Sequence, residues 1–461
     1  MNVRSCGTLA ALALTVLPVA GSGQSLKEAE IQGTGTLTLL DAVALALEYH
    51  PAIGEARAQA ESATGVADQT RGARLPSLSA QASLARFQEP SLVAPLHGFD
   101  PAMAPEFDRT LTRGNLTLSY SLYDGGGRGA RIERAESGEA VALAGEVATR
   151  MDIIGEAATA FLDLLTTGDL LEASEAQMDA LIAEEERVQD FLAQGKAARV
   201  DLLRVQAARS RAEATAISLR SRLDMARGRL ARVTGLARED LRGRRLVQVN
   251  LTQSSAEGRD LALDKATDAS PELTLARHQL SGASASVREA KANWYPQLKA
   301  AGSYQEFGAL NGSHNFEWQG SIQVSYPLFT GGSRRGELDR AVAEERRAAE
   351  ALRRTELVVE EGIEEALSAV VEARAVRSAL ELGVAQAEEV ARIEALALEV
   401  GSGVQTDFLT AQAALFQSRA ALLQARHGEV LAGIHLVRVT GELDLDWLRD
   451  NMEVVLSLIH I

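Results

Sequence analysis

The sequence predicts a mainly α-helical protein that also carries a few two-faced β-strands and is built as two copies of one plan. Segment Ser119–Gly126 recurs as Ser325–Gly332, and Gly195 recurs as Gly401, both at an offset of 206 positions. Aromatic residues make up only 4% of the 461 residues, a composition that favours long helices in thin layers. Short segments alternate apolar and polar residues, as strands with two different faces do. A duplication of this length predicts one structural plan executed twice.

The first residues predict a secretory signal peptide over residues 1–22. Arg4 precedes an apolar run from Leu9 to Val19, and small residues follow at Ala20–Ser22. The run is about half of the roughly 20 residues that a membrane-spanning helix needs. Cys6 is the sequence's single cysteine, so we expect a mature chain without disulfides. The net charge of −16 argues against nucleic acid as a partner.

In each copy the residue pattern predicts a helix, two strands, a long helix, a tight turn and a shorter helix. Val147, Met151, Ile154, Ala158, Phe161 and Leu165 step by 3 and 4, which is coiled-coil spacing. A helix of about 65 residues spans roughly 100 Å, and two shorter helices end to end would match it. The predicted helices are Leu40–Arg74 with a break at Pro51, Gly129–Gln194, Arg199–Val233, Arg335–Glu399, and a last one after Gly401-Ser402-Gly403.

The predicted strands are Ser77–Phe87, Thr110–Tyr123, Gln297–Phe307 and Asn315–Phe329. Their alternation fits strands that face lipid on one side and water on the other, but a half-buried soluble sheet alternates in the same way. Closed barrels need about eight strands, so membrane insertion would require several chains to pool their four strands. In the membrane interpretation four residues form an aromatic girdle at one boundary: Tyr120, Tyr123, Tyr326 and Phe329.

The glycine-rich segments between strand and helix are predicted to be corners, not nucleotide-binding loops. The GxGxxG spacing fails in Asp124–Gly129, and the preceding strand alternates where a Rossmann strand would be continuously apolar. We expect the corners to rest on Gly125, Gly126, Gly331 and Gly332. The seven histidines show no metal-ligand spacing, and no catalytic constellation is visible. The sequence therefore predicts no enzyme activity, cofactor or metal.

Asp201 and Asp407 lie at equivalent places, six residues after the turn glycines Gly195 and Gly401. An acid in the first turn of a helix suits the helix dipole. The alternative is functional: an acidic ring facing a pore at the tip of the helices. The sequence leaves both interpretations open.

From Leu39 to Leu443 the chain resembles the TolC family of outer-membrane efflux proteins. The resemblance rests on the order and spacing of segments rather than on one motif. These are Leu40–Ala46 with His50-Pro51, Ala73–Leu78, Ser325–Gly332, Val400-Gly401, and Thr406–Leu409 with Ala411-Gln412.

The resemblance implies a homotrimer in which four strands per chain close a 12-stranded β-barrel, continued by a long α-helical barrel across the periplasm. It gives a first repeat at 37–241, a linker at 242–258, a second repeat at 259–443 and an unassigned tail at 444–461. The implied location is the outer membrane of a Gram-negative bacterium. Gly195, Gly401 and Gly403 would lie at the periplasmic tip, against an adaptor protein and an inner-membrane pump of the RND or ABC type.

The implied function is a passive exit duct of a tripartite efflux or type I secretion system. The alternative from another class is a periplasmic adaptor built from soluble coiled coils. Two positions depart from the family. Thr410 stands where some members carry a second acid, and Gly403 stands where some carry a basic residue that latches the tip. The candidate pore residues at the tip are Asp201, Asp407 and Thr410.

Overall fold

The computed structural model describes residues 35–93, 106–251 and 258–455. The predicted signal peptide, most of the predicted loop between the first two strands, and residues 456–461 lie outside these ranges. Of the described residues, 71% are helical, which confirms the mainly α prediction.

The first half of the chain contains two short helices, two strands and a helical hairpin. In order the elements are β1 (Thr36–Leu37), α1 (Leu39–Tyr49), α2 (Pro51–Arg71), β2 (Ser77–Leu92), β3 (Phe107–Tyr123), α3 (Gly127–Ala193), α4 (Arg199–Thr234), α5 (Arg238–Arg242) and β4 (Arg245–Leu246).

The second half follows the same succession. Its elements are β5 (Gln248–Leu251), α6 (Arg259–Ala269), α7 (Pro271–Ala292), β6 (Gln297–Ala309), β7 (His314–Ser325), α8 (Ser333–Glu399), α9 (Gln405–Thr440), α10 (Leu445–Asn451) and β8 (Met452–Val455).

The break between α1 and α2 has a local cause. Pro51 is the first residue of α2, a position where its missing N–H costs nothing. His50 Nδ1 accepts a hydrogen bond from the Ala52 N–H at 3.3 Å and so caps the new helix. At the start of α1, Thr38 and Asp41 form a capping box.

The helices pack as two long hairpins. Both α3 and α8 have 67 residues, which corresponds to roughly 100 Å. Helices α2 and α4 pack successively along α3, as α7 and α9 do along α8, and α7 also packs on α3. The prediction that shorter helices accompany each long helix is therefore confirmed. The largest core lies around the middle of α3, where Phe161 and Leu162 are fully buried with Leu230 of α4.

The described parts of the linker and the tail pack together in the fold. In the linker, Val249 is buried and Leu251 packs against the main core. Strand β5 in this segment pairs antiparallel with β8 of the tail, and β1 pairs with β4. Leu448 of α10 is fully buried in the same core. Local sequence could not indicate this, because each strand has four residues or fewer and gains its partner from a distant part of the chain.

Strands β2, β3, β6 and β7 form an antiparallel sheet in chain order, with β2 and β7 at its two edges. The ends of β2 and β7 differ most from the predicted strand boundaries. Strand β2 continues to Leu92 through Pro90, which an edge strand tolerates where the register shifts. Strand β7 stops at Ser325, short of the predicted Phe329, because Pro327 has no N–H to donate.

Candidate functional site: the two-faced sheet and the helical tip

The register of the sheet sorts side chains into one polar and one apolar face. On the polar face, one row across the four strands is Gln81, Asn115, Gln305 and Glu317, and the next is Ser79, Thr117, Ser303 and Gln319. Between these two rows, on the opposite face, lies the row Ala80, Leu116, Tyr304 and Trp318. In these rows of all three strand pairs, therefore, polar residues lie beside polar residues and apolar beside apolar. A shift of the register by one residue would place polar residues beside apolar ones.

In the middle of the two central strands, the apolar side chains are more exposed than their polar neighbours. Leu116, Leu118 and Tyr304 of the two central strands are 46–48% exposed. Their polar neighbours Asn115 and Thr117 are partly buried instead. A half-buried soluble sheet requires the opposite order, with the apolar side chains covered. Apolar side chains exposed over a whole sheet face indicate contact with lipid or with another chain.

An arginine at the start of each long helix fixes the corner between strand and helix. Arg128 donates a hydrogen bond to the Ser121 carbonyl at 2.9 Å and lies over the Tyr120 ring. Arg334, at the same offset of 206, donates to the Pro327 carbonyl at 2.8 Å and lies over Tyr326. The sequence contains a signal for this pair, because the two arginines follow the repeated segments Ser119–Gly126 and Ser325–Gly332 at the same distance.

The predicted corner glycines adopt the left-handed backbone conformation, with φ of 67° at Gly125, 87° at Gly126, 59° at Gly331 and 87° at Gly332. Glycine is the residue that adopts this conformation readily. A Cβ on Gly125 would also lie 2.7 Å from the Ala292 carbonyl oxygen. These glycines are therefore required by backbone geometry at the corners where they were predicted.

The four predicted girdle residues cluster at the same end of the sheet, next to the helices. Tyr120 and Tyr123 belong to β3, while Tyr326 and Phe329 follow the end of β7. Phe329 is 89% exposed, and Tyr123 and Tyr326 are about half exposed. Their role at a membrane boundary remains a prediction.

At the opposite end of the hairpins, Gly195 and Gly401 make equivalent turns, with φ of 73° and 78°. Lys196 N–H donates to the Phe191 carbonyl at 2.8 Å, and Ser402 N–H donates to the Ala397 carbonyl at 2.9 Å. Both bonds close the helix end in the same way. A Cβ on Gly403 would lie 2.7 Å from the Leu398 nitrogen, so a basic side chain at position 403 does not fit this turn.

The two tip aspartates occupy equivalent positions in different environments. Asp201 accepts hydrogen bonds from the Ala198 N–H at 3.2 Å and from Arg204 at 3.4 Å, so it caps α4. Asp407 is exposed, and within the described residues its carboxylate has no hydrogen bond or ion pair. Thr410 occupies the position equivalent to Arg204, and its hydroxyl donates to the Thr406 carbonyl at 2.8 Å. Among the described residues, therefore, the Asp201 carboxylate is paired and the Asp407 carboxylate is not.

A polar bridge joins the two hairpins near the tip. Gln405, 7% exposed at the start of α9, donates to Glu184 of α3 at 2.7 Å. Arg187 donates two bonds to the same carboxylate, at 2.8 and 2.6 Å. No local pattern in the sequence predicts this contact, because its partners are 221 residues apart.

A buried histidine joins the hairpins further from the tip. The Thr166 hydroxyl donates to the Leu162 carbonyl at 2.6 Å, so its oxygen accepts a hydrogen bond from His427 Nδ1. Burial, and secondarily the charge of Arg426, lowers the pKa of His427 from 6.5 to about 4. Nearby, burial and the neighbouring Glu172 raise the pKa of Asp169 from 3.8 to about 6.

We expect His427 to make the fold acid-sensitive. Because its pKa is lower in the folded state, the unfolded chain binds the proton more readily, and stability falls as the pH drops from 6.5 to about 4. The full effect is roughly 3 kcal/mol. Asp169 acts in the opposite direction as the pH falls from about 6 to 3.8. Circular dichroism melts across this window should therefore show a smaller acid-induced loss for His427→Gln than for the parent. An equal loss in both proteins would contradict this role.

Two negative findings concern the described residues. Within 35–93, 106–251 and 258–455, no helix is both long and apolar enough to cross a membrane. In the same ranges, no group of three or more His, Cys, Asp or Glu residues is arranged to hold a metal ion.

Comparison with known proteins agrees with this architecture. The family model for outer membrane efflux proteins matches residues 42–236 and 262–442. The alkaline protease secretion protein AprF of Pseudomonas aeruginosa is 26% identical over 430 residues, which cover 88% of this chain and 85% of AprF.

Solved structures share the fold at low identity. The outer membrane protein VceC of Vibrio cholerae superposes with a TM-score of 0.75 at 22% identity, over 87% of this chain and 96% of VceC. The CmeC outer membrane channel of Campylobacter jejuni gives a TM-score of 0.75 at 15% identity, over 89% of this chain and 88% of CmeC.

The family consists of channel proteins rather than enzymes, and the adaptor alternative is therefore not retained. The family assignment rests on the two-faced sheet, the paired hairpins and the match of the family model over both halves of the chain. The chain belongs to the outer membrane efflux protein family, and it is an outer-membrane channel of the exit-duct type.

Proposed function

We propose that the chain works as a homotrimer in which three sheets close a 12-stranded barrel. The observation that carries this proposal is the open sheet, with β2 and β7 unpaired on their outer edges among the described residues. Open edges do not persist in lipid, so the edges need strands from other copies. Because four antiparallel strands leave β2 and β7 running in opposite directions, β7 of one copy can pair antiparallel with β2 of the next.

In this assembly the polar rows would line a water-filled barrel. The row Gln81, Asn115, Gln305 and Glu317 would contribute amides and one carboxylate per chain. Arg113 lies on the same face, one row further from the helices. A polar lumen of this kind passes hydrophilic cargo, while the row containing Trp318 meets lipid.

The helices would continue the barrel as a tunnel across the periplasm. Equal lengths support the two proposed repeats, 37–241 and 259–443: α4 and α9 both have 36 residues, and α3 and α8 both have 67. The linker and tail would form a band around the middle of the tunnel, since β5 and β8 pair there.

The tip would be the contact site for other components of the export system. An adaptor protein would meet the turns at Gly195, Gly401 and Gly403, and an inner-membrane pump of the RND or ABC type would supply the energy. AprF is named for the secretion of an alkaline protease, which favours type I protein secretion as one use of the duct. The chain itself would act passively.

Reconstitution into planar lipid bilayers tests the proposal. We expect the purified protein to be a heat-modifiable trimer that opens discrete ion-conducting pores. A detergent-free soluble monomer without conductance would contradict it. Chemical cross-linking followed by denaturing electrophoresis gives the number of copies independently of conductance.

We expect Asp407 to influence ion selectivity at the tip. In a trimer, Asp407→Asn removes three unpaired carboxylates, so the ratio of cation to anion permeability falls. Asp201→Asn is the matched control, because that carboxylate is already bound to Arg204 and to the α4 backbone. Reversal potentials under a salt gradient measure both variants. Unchanged selectivity in Asp407→Asn would exclude an acidic ring formed by this residue.

A further inference from the structure

A crevice of about 760 Å³ lies between the two hairpins at mid-height, and the linker between the halves forms one wall. Its apolar lining includes Leu164 and Leu165 of α3, Leu223 of α4 and Leu422 of α9. Six arginines from four parts of the chain also line it: Arg227, Arg242, Arg244, Arg245, Arg419 and Arg426. This size is typical of a site for a small organic molecule.

The positive charges of the crevice are only partly neutralised. Arg419 donates to Glu388 at 2.9 Å, and Arg227 lies 3.2 Å from Asp224. Arg242 and Arg426 also have carboxylate partners, each at 3.7 Å, in Asp224 and Glu381. Within the described residues, Arg244 and Arg245 have no side-chain hydrogen bond or ion pair. Asp169 and Glu172 line the same crevice, and Asp169 accepts a hydrogen bond from Gln248 at 2.8 Å. The carboxylates in the lining remain fewer than the arginines.

This concentration of arginine is unusual for the molecule as a whole. The chain has a net charge of −16, so a random surface region would be acidic. Guanidinium groups held close together repel one another unless an anion lies between them. Arginine also presents a planar fork of N–H donors that matches carboxylate and phosphate groups.

The position of the crevice excludes the headgroups of the membrane that surrounds the sheet. Leu164 lies 37 residues after Gly127, the first residue of α3. At 1.5 Å per residue, the crevice is roughly 55 Å from the corner where β3 ends. Its ligand must therefore come from the aqueous compartment around the helices.

We propose that the crevice binds an amphipathic organic anion, whose carboxylate or phosphate head is held by Arg244 and Arg245 and whose apolar body lies against the leucines. The proposal goes beyond the channel function. The helical part of the molecule would then bind a ligand that is distinct from the exported cargo.

Calorimetric titration of the full chain in lipid nanodiscs tests this with four small probes on one naphthalene body. They are 2-naphthoate, 2-naphthyl phosphate, neutral 2-naphthalenemethanol and cationic 2-naphthylmethylammonium. We expect saturable binding of at least one anionic probe and at least about tenfold weaker binding of the neutral and cationic ones. Comparing the affinities for 2-naphthoate and 2-naphthyl phosphate shows whether the site prefers a carboxylate or a phosphate head.

The double variant Arg244→Gln/Arg245→Gln should weaken the binding of the preferred anion at least about tenfold. Arg353→Gln/Arg354→Gln is the matched control, because these exposed arginines of α8 lie away from the crevice, and it should leave the affinity unchanged. Equal helicity and melting temperature of the two variants would exclude misfolding as the cause. The absence of anion binding, equal binding of the neutral probe, or an unaltered affinity in the Arg244/Arg245 variant would each overturn the proposal.

Discussion

Leu116→Arg is expected to abolish assembly of the protein in the outer membrane. Leu116 lies in the middle of β3 on the apolar face, between Ala80 and Tyr304 on the neighbouring strands. An arginine facing lipid near the midplane costs about 2–4 kcal/mol in a membrane strand, and a trimer would carry that cost three times. Fractionation of cells should find the variant missing from the outer membrane or degraded in the periplasm.

Thr117→Arg is the matched control, one residue further along the same strand. Its neighbours across the sheet are the small side chains of Ser79 and Ser303, on the polar face. An arginine there meets water, so we expect normal assembly and at most a change of conductance. Equal loss of assembly in both variants would show that the two faces do not meet different environments.

Phe161→Ala is expected to cause the largest loss of stability among substitutions in the helices. Phe161 is fully buried where α3 meets α1, α4 and the tail, in the thickest part of the molecule. Replacing a buried phenylalanine with alanine typically costs about 3–5 kcal/mol, because the apolar contacts are lost and a cavity remains. The midpoint of thermal unfolding, followed by circular dichroism, should fall by several degrees.

Val147→Ala provides the comparison within the same helix. Val147 belongs to the same 3–4 spacing as Phe161 but is 45% exposed in the chain. We expect this substitution to change the unfolding midpoint only slightly. If Phe161→Ala were equally mild, the core around the middle of α3 would not hold the hairpins together.

The elements with strong local signals were predictable from the sequence. Helices α3 and α8 lie within two residues of their predicted limits, because neither segment contains a proline and a glycine, Gly195 or Gly401, follows each helix end. The corners were predictable for the same reason, since glycine favours φ values that other residues avoid. The alternation of apolar and polar residues predicted the two faces of β3 and β6. The register of the sheet confirms it, because polar residues such as Asn115 and Thr117 pair with polar ones across these strands.

The features that the sequence did not reveal depend on long-range contacts. The β5–β8 pair, the bridge from Gln405 to Glu184 and the contact between Thr166 and His427 each join residues far apart in the chain. No local pattern distinguishes their side chains from ordinary surface residues. The arginine crevice is similar, because its lining comes from seven elements that only the folded chain brings together.

The most direct test of the central claim is the accessibility of single cysteines along β3 in membranes. The parent has one cysteine, Cys6, so a Cys6→Ser background leaves each introduced thiol alone. Cysteines at Thr117 and Ser119 should react readily with a membrane-impermeant maleimide, whereas those at Leu116 and Leu118 should react about tenfold more slowly, since hydrocarbon suppresses the reactive thiolate. Uniform reactivity along the strand, or faster reaction at Leu116 and Leu118, would contradict a sheet with one face in lipid and the other in water.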